Sequence, residues 1–239
     1  MRNIFSLIFI LLAFTGYGQE RKDITLNIYS GDCRPEPPHA FYWQDTIWIY
    51  KHDSLVKKMI PGPYIGTRDP ITVNHLIPGV YRLVFTNIYS QRADHLITIP
   101  DTSVFSFRIC PDELTDQQVN TLAGLKIGES IRLGFKETSC GVDGDAELEI
   151  TRKNGYFIAV LKDHENGYYN SLTVKLTPKM ESDFTRFENE LRFVNDNGRC
   201  TTQDYYTIKS KYGVYAKRDG TCEWAGFYFL KNSLMGPTE

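Results

Sequence analysis

The sequence of 239 residues lacks the short motifs that mark the most common catalytic sites. It contains no Gly-x-Ser-x-Gly, no His-Glu-x-x-His and no phosphate-binding loop. It also contains no Cys-x-x-Cys, and its five histidines are scattered, which argues against a zinc site. These absences favour a protein that is not an enzyme and that carries no cofactor.

Long apolar runs are absent beyond the N-terminus. Residues 4–14 are almost entirely apolar, follow Arg2 and precede the small residues Gly16 and Gly18. This pattern is typical of a secretory signal peptide, here over residues 1–18. An N-terminal membrane anchor is the alternative, although the run is short for a bilayer. We therefore expect an exported chain, periplasmic or extracellular, with no membrane span in its mature part.

Neither sign of charge is in excess. The formal net charge of −2 becomes −3 once Arg2 is removed with the signal peptide. No basic patch of the density that nucleic acid requires is visible, so nucleic acid is not an expected partner. The sequence has no Asn-x-Ser/Thr glycosylation site, which favours a bacterial envelope or secreted protein over a glycosylated animal one.

All five cysteines lie in the predicted mature chain. Export makes disulfides the default, and an odd number leaves one thiol over or one bridge between chains. Cys33 and Cys110 flank the first predicted domain and are expected to pair. Cys200 and Cys222 flank a predicted hairpin and are expected to pair as well. Cys140 is then free, or it bridges two chains.

The first predicted domain, residues 22–112, has the pattern of an all-β protein. Ile24, Leu26 and Ile28 alternate with polar residues, and Lys51–Ser54 has the character of a hairpin turn. About seven short strands at this spacing indicate an immunoglobulin-like β-sandwich. The predicted strands cover residues 24–29, 41–50, 55–59, 71–77, 80–85, 95–99 and 104–109.

One stretch of this domain also resembles a known signature. Residues Leu76-Ile77-Pro78-Gly79-Val80-Tyr81-Arg82-Leu83 are similar to the Leu-x-Pro-Gly-x-Tyr-x-Leu signature of carboxypeptidase-regulatory-like and transthyretin-like modules. These are immunoglobulin-like β-sandwiches, and the resemblance covers residues 72–109. It implies a non-catalytic accessory or adhesion domain.

A polar segment, residues 111–118, separates the second predicted domain, residues 117–236. A short helix is expected over residues 116–123, with Thr115 as its N-cap. Strands follow at residues 131–135, 146–152, 156–162 and 171–177, and Asn154-Gly155 is a strong hairpin signal. Phe184, Phe187 and Leu191 fall at helical spacing, with Ser182 or Asp183 as the cap. The pattern predicts an α+β domain, an antiparallel sheet with one or two helices.

The chain ends in a hairpin followed by one further element. Strands are predicted at residues 204–209 and 214–217, with Tyr206 and Ile208 on one face. Trp224, Phe227, Leu230 and Leu234 fall at helical spacing, which favours a helix capped by Thr221; a third strand is the alternative. The ending Asp-Gly-Thr-Cys-Glu-Trp-x-Gly-Phe resembles features of uncharacterised secreted bacterial proteins, and it implies no activity.

Two polar clusters invite a chemical interpretation. Asp143, Asp145, Glu147 and Glu149 suggest calcium, but an EF-hand loop starting at Asp143 would need glycine and glutamate where Leu148 and Asn154 stand. No metal site is therefore predicted. Residues 163–167, Asp-His-Glu-Asn-Gly, lie between two predicted strands and are interpreted as a hairpin loop rather than an acid–base site.

Aromatic residues offer the best candidate for a binding surface. If Ile47 and Ile49 face the core, then Tyr42, Trp48 and Tyr50 face outward, where they can hold a sugar or a partner protein. Packing between the domains is the alternative. We predict an exported, non-enzymatic binding or envelope-associated protein of unknown protein or glycan ligand. An inhibitor or stabiliser of another exported protein, or a hydrolase with an unrecognised site, are the alternatives.

Overall fold

The computed structural model describes residues 23–30, 46–60, 70–115, 119–139, 143–165, 167–194, 196, 201–221 and 224–236. Within these residues the protein is mainly β, with thirteen strands in three sheets and three helices. This confirms the mainly β class that the alternating apolar pattern predicts. No helix in this part of the chain is long and apolar enough to cross a membrane.

The first seven strands form two sheets. A three-stranded sheet has the order β4–β1–β7, and a four-stranded sheet has the order β3–β2–β5–β6. Strands β1 and β7 are parallel, and the other pairs in these two sheets are antiparallel. The strands are β1 Ile24–Ser30, β2 Ile47–Lys51, β3 Ser54–Met59, β4 Ile71–Leu76, β5 Gly79–Thr86, β6 Arg92–Ile99 and β7 Val104–Ile109.

Alternation along the strands builds the core between these two sheets. Ile24, Leu26 and Ile28 on β1 are fully buried, as predicted. His95 on β6 lies edge-on to Phe107 on β7, with 6.2 Å between ring centroids, so side chains of the two sheets are in contact. The predicted turn between β2 and β3 is a two-residue hairpin in which His52 and Asp53 adopt φ values of 47° and 62°. Such left-handed turns match the twist of antiparallel strands.

The tyrosine of the Pro-Gly stretch holds the turn that precedes β5. The buried Tyr81 hydroxyl donates to the carbonyl of Ile77 at 2.8 Å and accepts from its N–H at 3.2 Å. Lys51 Nζ adds a bond to the carbonyl of Pro78 at 3.0 Å. The turn carries the chain from β4 in one sheet to β5 in the other, so Tyr81 fixes the crossing point between the sheets.

The remaining strands form one antiparallel sheet of six strands. Its order is β11–β10–β9–β8–β12–β13. The strands are β8 Ser130–Thr138, β9 Asp143–Lys153, β10 Tyr156–Glu165, β11 Tyr168–Lys175, β12 Gln203–Ser210 and β13 Gly213–Asp219, and the helices are α1 Thr121–Gly124, α2 Pro178–Phe193 and α3 Gly226–Met235. The α+β pattern predicted for this half of the chain agrees with these elements.

Helices α2 and α3 cover one face of the six-stranded sheet. Phe187 on α2 stacks on Trp224 at 5.4 Å, and Tyr206 on β12 lies edge-on to both rings. Tyr206 and Ile208 are buried on this face, as predicted. The final element is a helix, which confirms the predicted helix and removes the alternative of a third strand. Its first residue is Gly226, where a Cβ would collide with the Trp224 indole.

The N-cap residues of the three described helices differ from the predicted ones. Helix α2 begins at Pro178 with Thr177 as its N-cap, not Ser182 or Asp183, because proline suits the first helical position. Helix α3 has Ala225 at its N-cap, since the Thr221 hydroxyl is held by Asp219.

The short helix α1 is capped by Asn120, while Thr115 bonds to Gln91 instead. Residues 116–118 of the predicted helix lie outside the described residues. Helix α1 thus begins at Thr121, later than predicted, and the predicted cap Thr115 has another partner in the folded protein.

Candidate functional site

The outer face of the four-stranded sheet carries two of the three aromatic residues singled out from the sequence. Ile47 and Ile49 on β2 are fully buried, and the intervening Trp48 and Tyr50 point to the opposite face, where they are half-buried. This is the orientation on which the predicted binding surface depends. Tyr42 lies outside the described residues.

Strand register determines which residues surround Tyr50. Tyr50 lies opposite Leu55 on β3 and Arg82 on β5, and Arg82 lies opposite Leu96 on β6. The Arg82 guanidinium is 4.9 Å from the centroid of the Tyr50 ring, a cation–π contact. It also bonds to the carboxylates of Asp53 at 3.1 Å and Asp94 at 3.4 Å. The cation is thereby held over the ring in one orientation.

Exposed aliphatic side chains surround this arginine–tyrosine pair. Leu55, Val80 and Leu96 are 53%, 51% and 75% exposed. Alternation places all three on the same face as Tyr50 and Arg82. We call this set the β2–β5 face: Trp48, Tyr50, Leu55, Val80, Arg82 and Leu96. An arginine and aromatic rings within exposed apolar surface resemble the centre of a protein–protein interface.

Of the five cysteines, Cys110 lies within the described residues. Cys110 is disulfide-bonded. Cys33, Cys140, Cys200 and Cys222 lie outside the described residues, so the pairs Cys33–Cys110 and Cys200–Cys222 stay predictions.

The acidic run on β9 is divided among separate partners. Asp145 bonds to His164 Nδ1 at 3.0 Å, and Glu149 accepts from Arg132 and from Ser130, each at 3.0 Å. The bond from Arg132 is the main cause that lowers the pKa of Glu149. Among the described residues, no three His, Cys, Asp or Glu side chains are grouped so that they could hold a metal ion.

Asp163, His164 and Glu165, the first three residues of the predicted loop, belong to a strand instead, whereas Gly167 lies in a turn as predicted. The three residues are the end of β10, because the register of β10 and β11 continues as far as Glu165 opposite Tyr168. Asp163 is buried and bonds to Lys231 on α3 at 2.5 Å. His164 points to the other face and stacks on Tyr169 at 4.1 Å. Asp163 and His164 therefore do not converge on one reacting atom.

A shallow groove adjoins the Asp163–Lys231 pair. It has a volume of about 240 Å³ and lies between the β10–β11 edge and the end of α3. Its lining residues are Leu161, Asp163, Asn170, Ser171, Leu172 and Met235. The single carboxylate in this lining is neutralised by Lys231, so the groove offers no pair of groups for acid–base chemistry.

Three carboxylates that no sequence motif indicates form a row across three strands. Asp204 on β12 lies opposite Glu137 on β8 and Asp219 on β13, on the helix-covered face of the six-stranded sheet. Burial is the main reason why the pKa of Asp204 rises to about 7. The charges of Glu137 and Asp219 contribute to this rise, while the bond from the Tyr206 hydroxyl opposes it. Asp204 is the first residue of the predicted strand 204–209, and Asp219 lies two residues beyond the predicted strand 214–217, so a slightly longer hairpin would have paired them.

Helix α2 contains a second polar group that was missed. Glu188, Asn189 and Glu190 are each about 1% exposed. Asn189 exchanges two hydrogen bonds with the backbone of Val119, and Glu188 accepts from the hydroxyl of Thr121. Glu190 accepts from Trp224 Nε1 at 2.7 Å. Glu188 and Asn189 thus attach the segment before β8 to the helix, and Glu190 attaches Trp224, all of them structural roles.

No family model, no curated protein and no solved structure matches the chain.

Proposed function

We propose that this is an exported, non-enzymatic binding protein that holds a protein partner on the β2–β5 face. The observation that carries the proposal is the Arg82–Tyr50 pair, fixed by two carboxylates and surrounded by exposed Leu55, Val80 and Leu96. Interfaces concentrate their binding energy in arginine and aromatic residues within a dry apolar border. The resemblance of residues 72–109 to accessory β-sandwich modules supports the same reading.

A glycan is the second candidate, favoured by the half-buried rings of Trp48 and Tyr50. Sugars stack on open aromatic faces. One face of Tyr50 is already covered by Arg82, and exposed aliphatic side chains offer no hydrogen bonds to hydroxyl groups. These features favour the protein partner. An inhibitor or stabiliser of another exported protein would use the same surface, and would differ only in its effect on the partner.

The test uses a charge placed in the apolar border. Leu96→Asp introduces a carboxylate at an exposed position. Ile127→Asp is the matched control, since Ile127 is 68% exposed in the turn before β8 and does not belong to the β2–β5 face. The mature protein and both variants are immobilised and challenged with envelope extract from the source cells. We expect Leu96→Asp to reduce capture of a specific partner by roughly tenfold or more, the effect of losing an interface anchor. We expect Ile127→Asp to leave capture unchanged.

Equal capture by all three proteins would refute the proposed surface. Retention of a glycan on an array, lost in a Trp48→Ala variant, would favour the second candidate. If a partner is captured, its activity with and without this protein separates an inhibitor or stabiliser from a simple binding protein.

A further inference from the structure

The open face of the six-stranded sheet, opposite the helices, is divided by charge. Register aligns six residues across it in one row: Tyr169, His164, Asp145, Lys136, Tyr205 and Arg218. A second row lies four residues away from the first along each strand. It contains Glu149, Arg132, Lys209 and Val214. Acidic residues occupy β9, whereas the outward positions of β8, β12 and β13 carry only basic or uncharged side chains.

Basic groups thus form a compact strip on three neighbouring strands. The strip contains Arg132, Lys136, Lys209 and Arg218, all exposed. Arg132 is paired with Glu149, and Arg218 donates to the carbonyl of Asp196 at 3.2 Å. In the part of the chain that the structure describes, Lys136 and Lys209 have no ion-pair partner. Two strand spacings and four residues along a strand give an area of roughly 10 by 13 Å.

The floor between the two rows is made of small residues. Gly134, Thr207 and Ala216 lie side by side there on β8, β12 and β13. Gly134 is not required by packing, because a Cβ at this position would meet only the carbonyl of Thr207, at an ordinary 3.9 Å. Its φ is also outside the left-handed region. Glycine inside a strand often marks a site where a ligand approaches the backbone closely.

We propose that this strip of β8, β12 and β13 binds an anionic polysaccharide. The unpaired ammonium groups of Lys136 and Lys209 supply charge complementarity to carboxylate or sulfate groups. Tyr205, 41% exposed between Lys136 and Arg218, supplies a flat apolar surface for a sugar ring. The open floor at Gly134 admits the chain between the two rows.

A protein or a nucleic acid duplex fits the strip less well than an acidic polysaccharide. A protein partner would need an apolar centre, and the strip offers only Tyr205 and Val214 as exposed large apolar side chains. A nucleic acid duplex is wide and would also cover Asp145 and Glu147 on the neighbouring β9, whose negative charges would repel it. A narrow chain lying across three strands avoids most of this repulsion.

Binding is tested with the full mature protein at low ionic strength. The probes are polygalacturonate, dextran sulfate, neutral dextran and double-stranded DNA. We expect at least one acidic polysaccharide to bind and neutral dextran to fail. The double variant Lys136→Gln/Lys209→Gln should weaken binding by about tenfold, since surface charge attraction is strong only at low salt. The control Lys162→Gln/Lys175→Gln changes the net charge equally on β10 and β11 and should leave affinity within about twofold.

A third variant tests the floor separately from the charge. Gly134→Thr adds a side chain that β-strands favour, so the melting temperature should not fall. Binding of the acidic polysaccharide should nevertheless weaken, because the floor is filled. Three results would each overturn the proposal: neither acidic polysaccharide binds, the control double variant loses as much affinity as the test variant, or DNA binds as tightly as the polysaccharide. An unchanged affinity in Gly134→Thr would remove the floor from the site.

Discussion

At the scale of single residues, the most unusual group is Asp204. One of its carboxylate oxygens is buried without a hydrogen-bond partner, and the other accepts from the Tyr206 hydroxyl at 3.0 Å. Burial is the main reason why its pKa rises from 3.8 to about 7. The folded state therefore binds a proton at Asp204 over a pH range in which the unfolded chain has already lost it.

This difference predicts how stability depends on pH. Between about pH 4 and pH 7 the folded state holds more protons than the unfolded state, so the free energy of unfolding falls as pH rises through that window. Each pH unit of the window corresponds to about 1.4 kcal/mol at most for one group. Below the window Asp204 is protonated in both states, and above it the group is ionised in both, so its contribution is then constant.

Asp204→Asn should remove this decline. The amide oxygen still accepts from Tyr206 and carries no charge, so we expect the variant to exceed the wild type in stability above pH 7, by a few kcal/mol at most. Near pH 4 the two proteins should be equally stable. Urea unfolding from pH 4 to pH 8 measures the difference, with Glu147→Gln on the exposed face as the control. A difference that is constant with pH would show that Asp204 titrates normally.

At the scale of secondary-structure elements, alternation was easier to predict than helix boundaries. The period of two along β1 and β2 survives in the structure because one face of each strand is buried. Helix α2 was placed too late because Ser182 and Asp183 are good capping residues by type. Asp183 instead bonds to Lys179 and Ser233, inside and beside the helix. Pro178 directly follows the predicted strand 171–177, and proline fits the first position of a helix as well as the end of a strand.

The true start of α2 can be tested by paired substitutions. The Thr177 hydroxyl accepts from the N–H of Met180 at 3.3 Å, so Thr177→Ala should lower the free energy of unfolding by about 1 kcal/mol. Ser182→Ala lies within the helix and should change it by less than about 0.5 kcal/mol. Urea unfolding of both variants decides between the two caps. A larger loss in Ser182→Ala would restore the start predicted from the sequence.

At the scale of the whole molecule, long-range contacts set the limit on prediction. The outward orientation of Trp48 and Tyr50 was accessible from alternation within one strand. Arg82 and Leu96 come from β5 and β6, and only the register of the sheet brings them to Tyr50. The carboxylate row and the basic strip are built in the same way, from strands far apart in the chain. A single sequence contains the alternation of each strand but not the pairing between strands.

Helix α2 makes an ion pair and several hydrogen bonds to the segment between the two predicted domains. Arg186 approaches Asp112 at 3.6 Å, Asn189 holds the backbone of Val119, and Glu188 holds Thr121. Leu122 adds a buried apolar side chain. Residues 119–122 therefore behave as part of the second predicted domain, even though they precede its first strand. If the chain has two domains, a stable C-terminal fragment must begin no later than residue 119.

Fragments test this boundary and the two-domain prediction together. We expect residues 22–115 and 119–236 each to unfold cooperatively, because each contains its own sheets and buried core. A fragment of residues 125–236 should be destabilised by several kcal/mol, since Glu188 and Asn189 lose buried partners worth about 1–3 kcal/mol each. Thr121→Ala in the longer fragment separates this polar loss from that of Leu122. Circular dichroism during urea unfolding is the measurement.

Two outcomes would contradict these expectations. Equal stability of the two C-terminal fragments would contradict the role of residues 119–122. Failure of both 22–115 and 119–236 to fold would contradict the division into two domains.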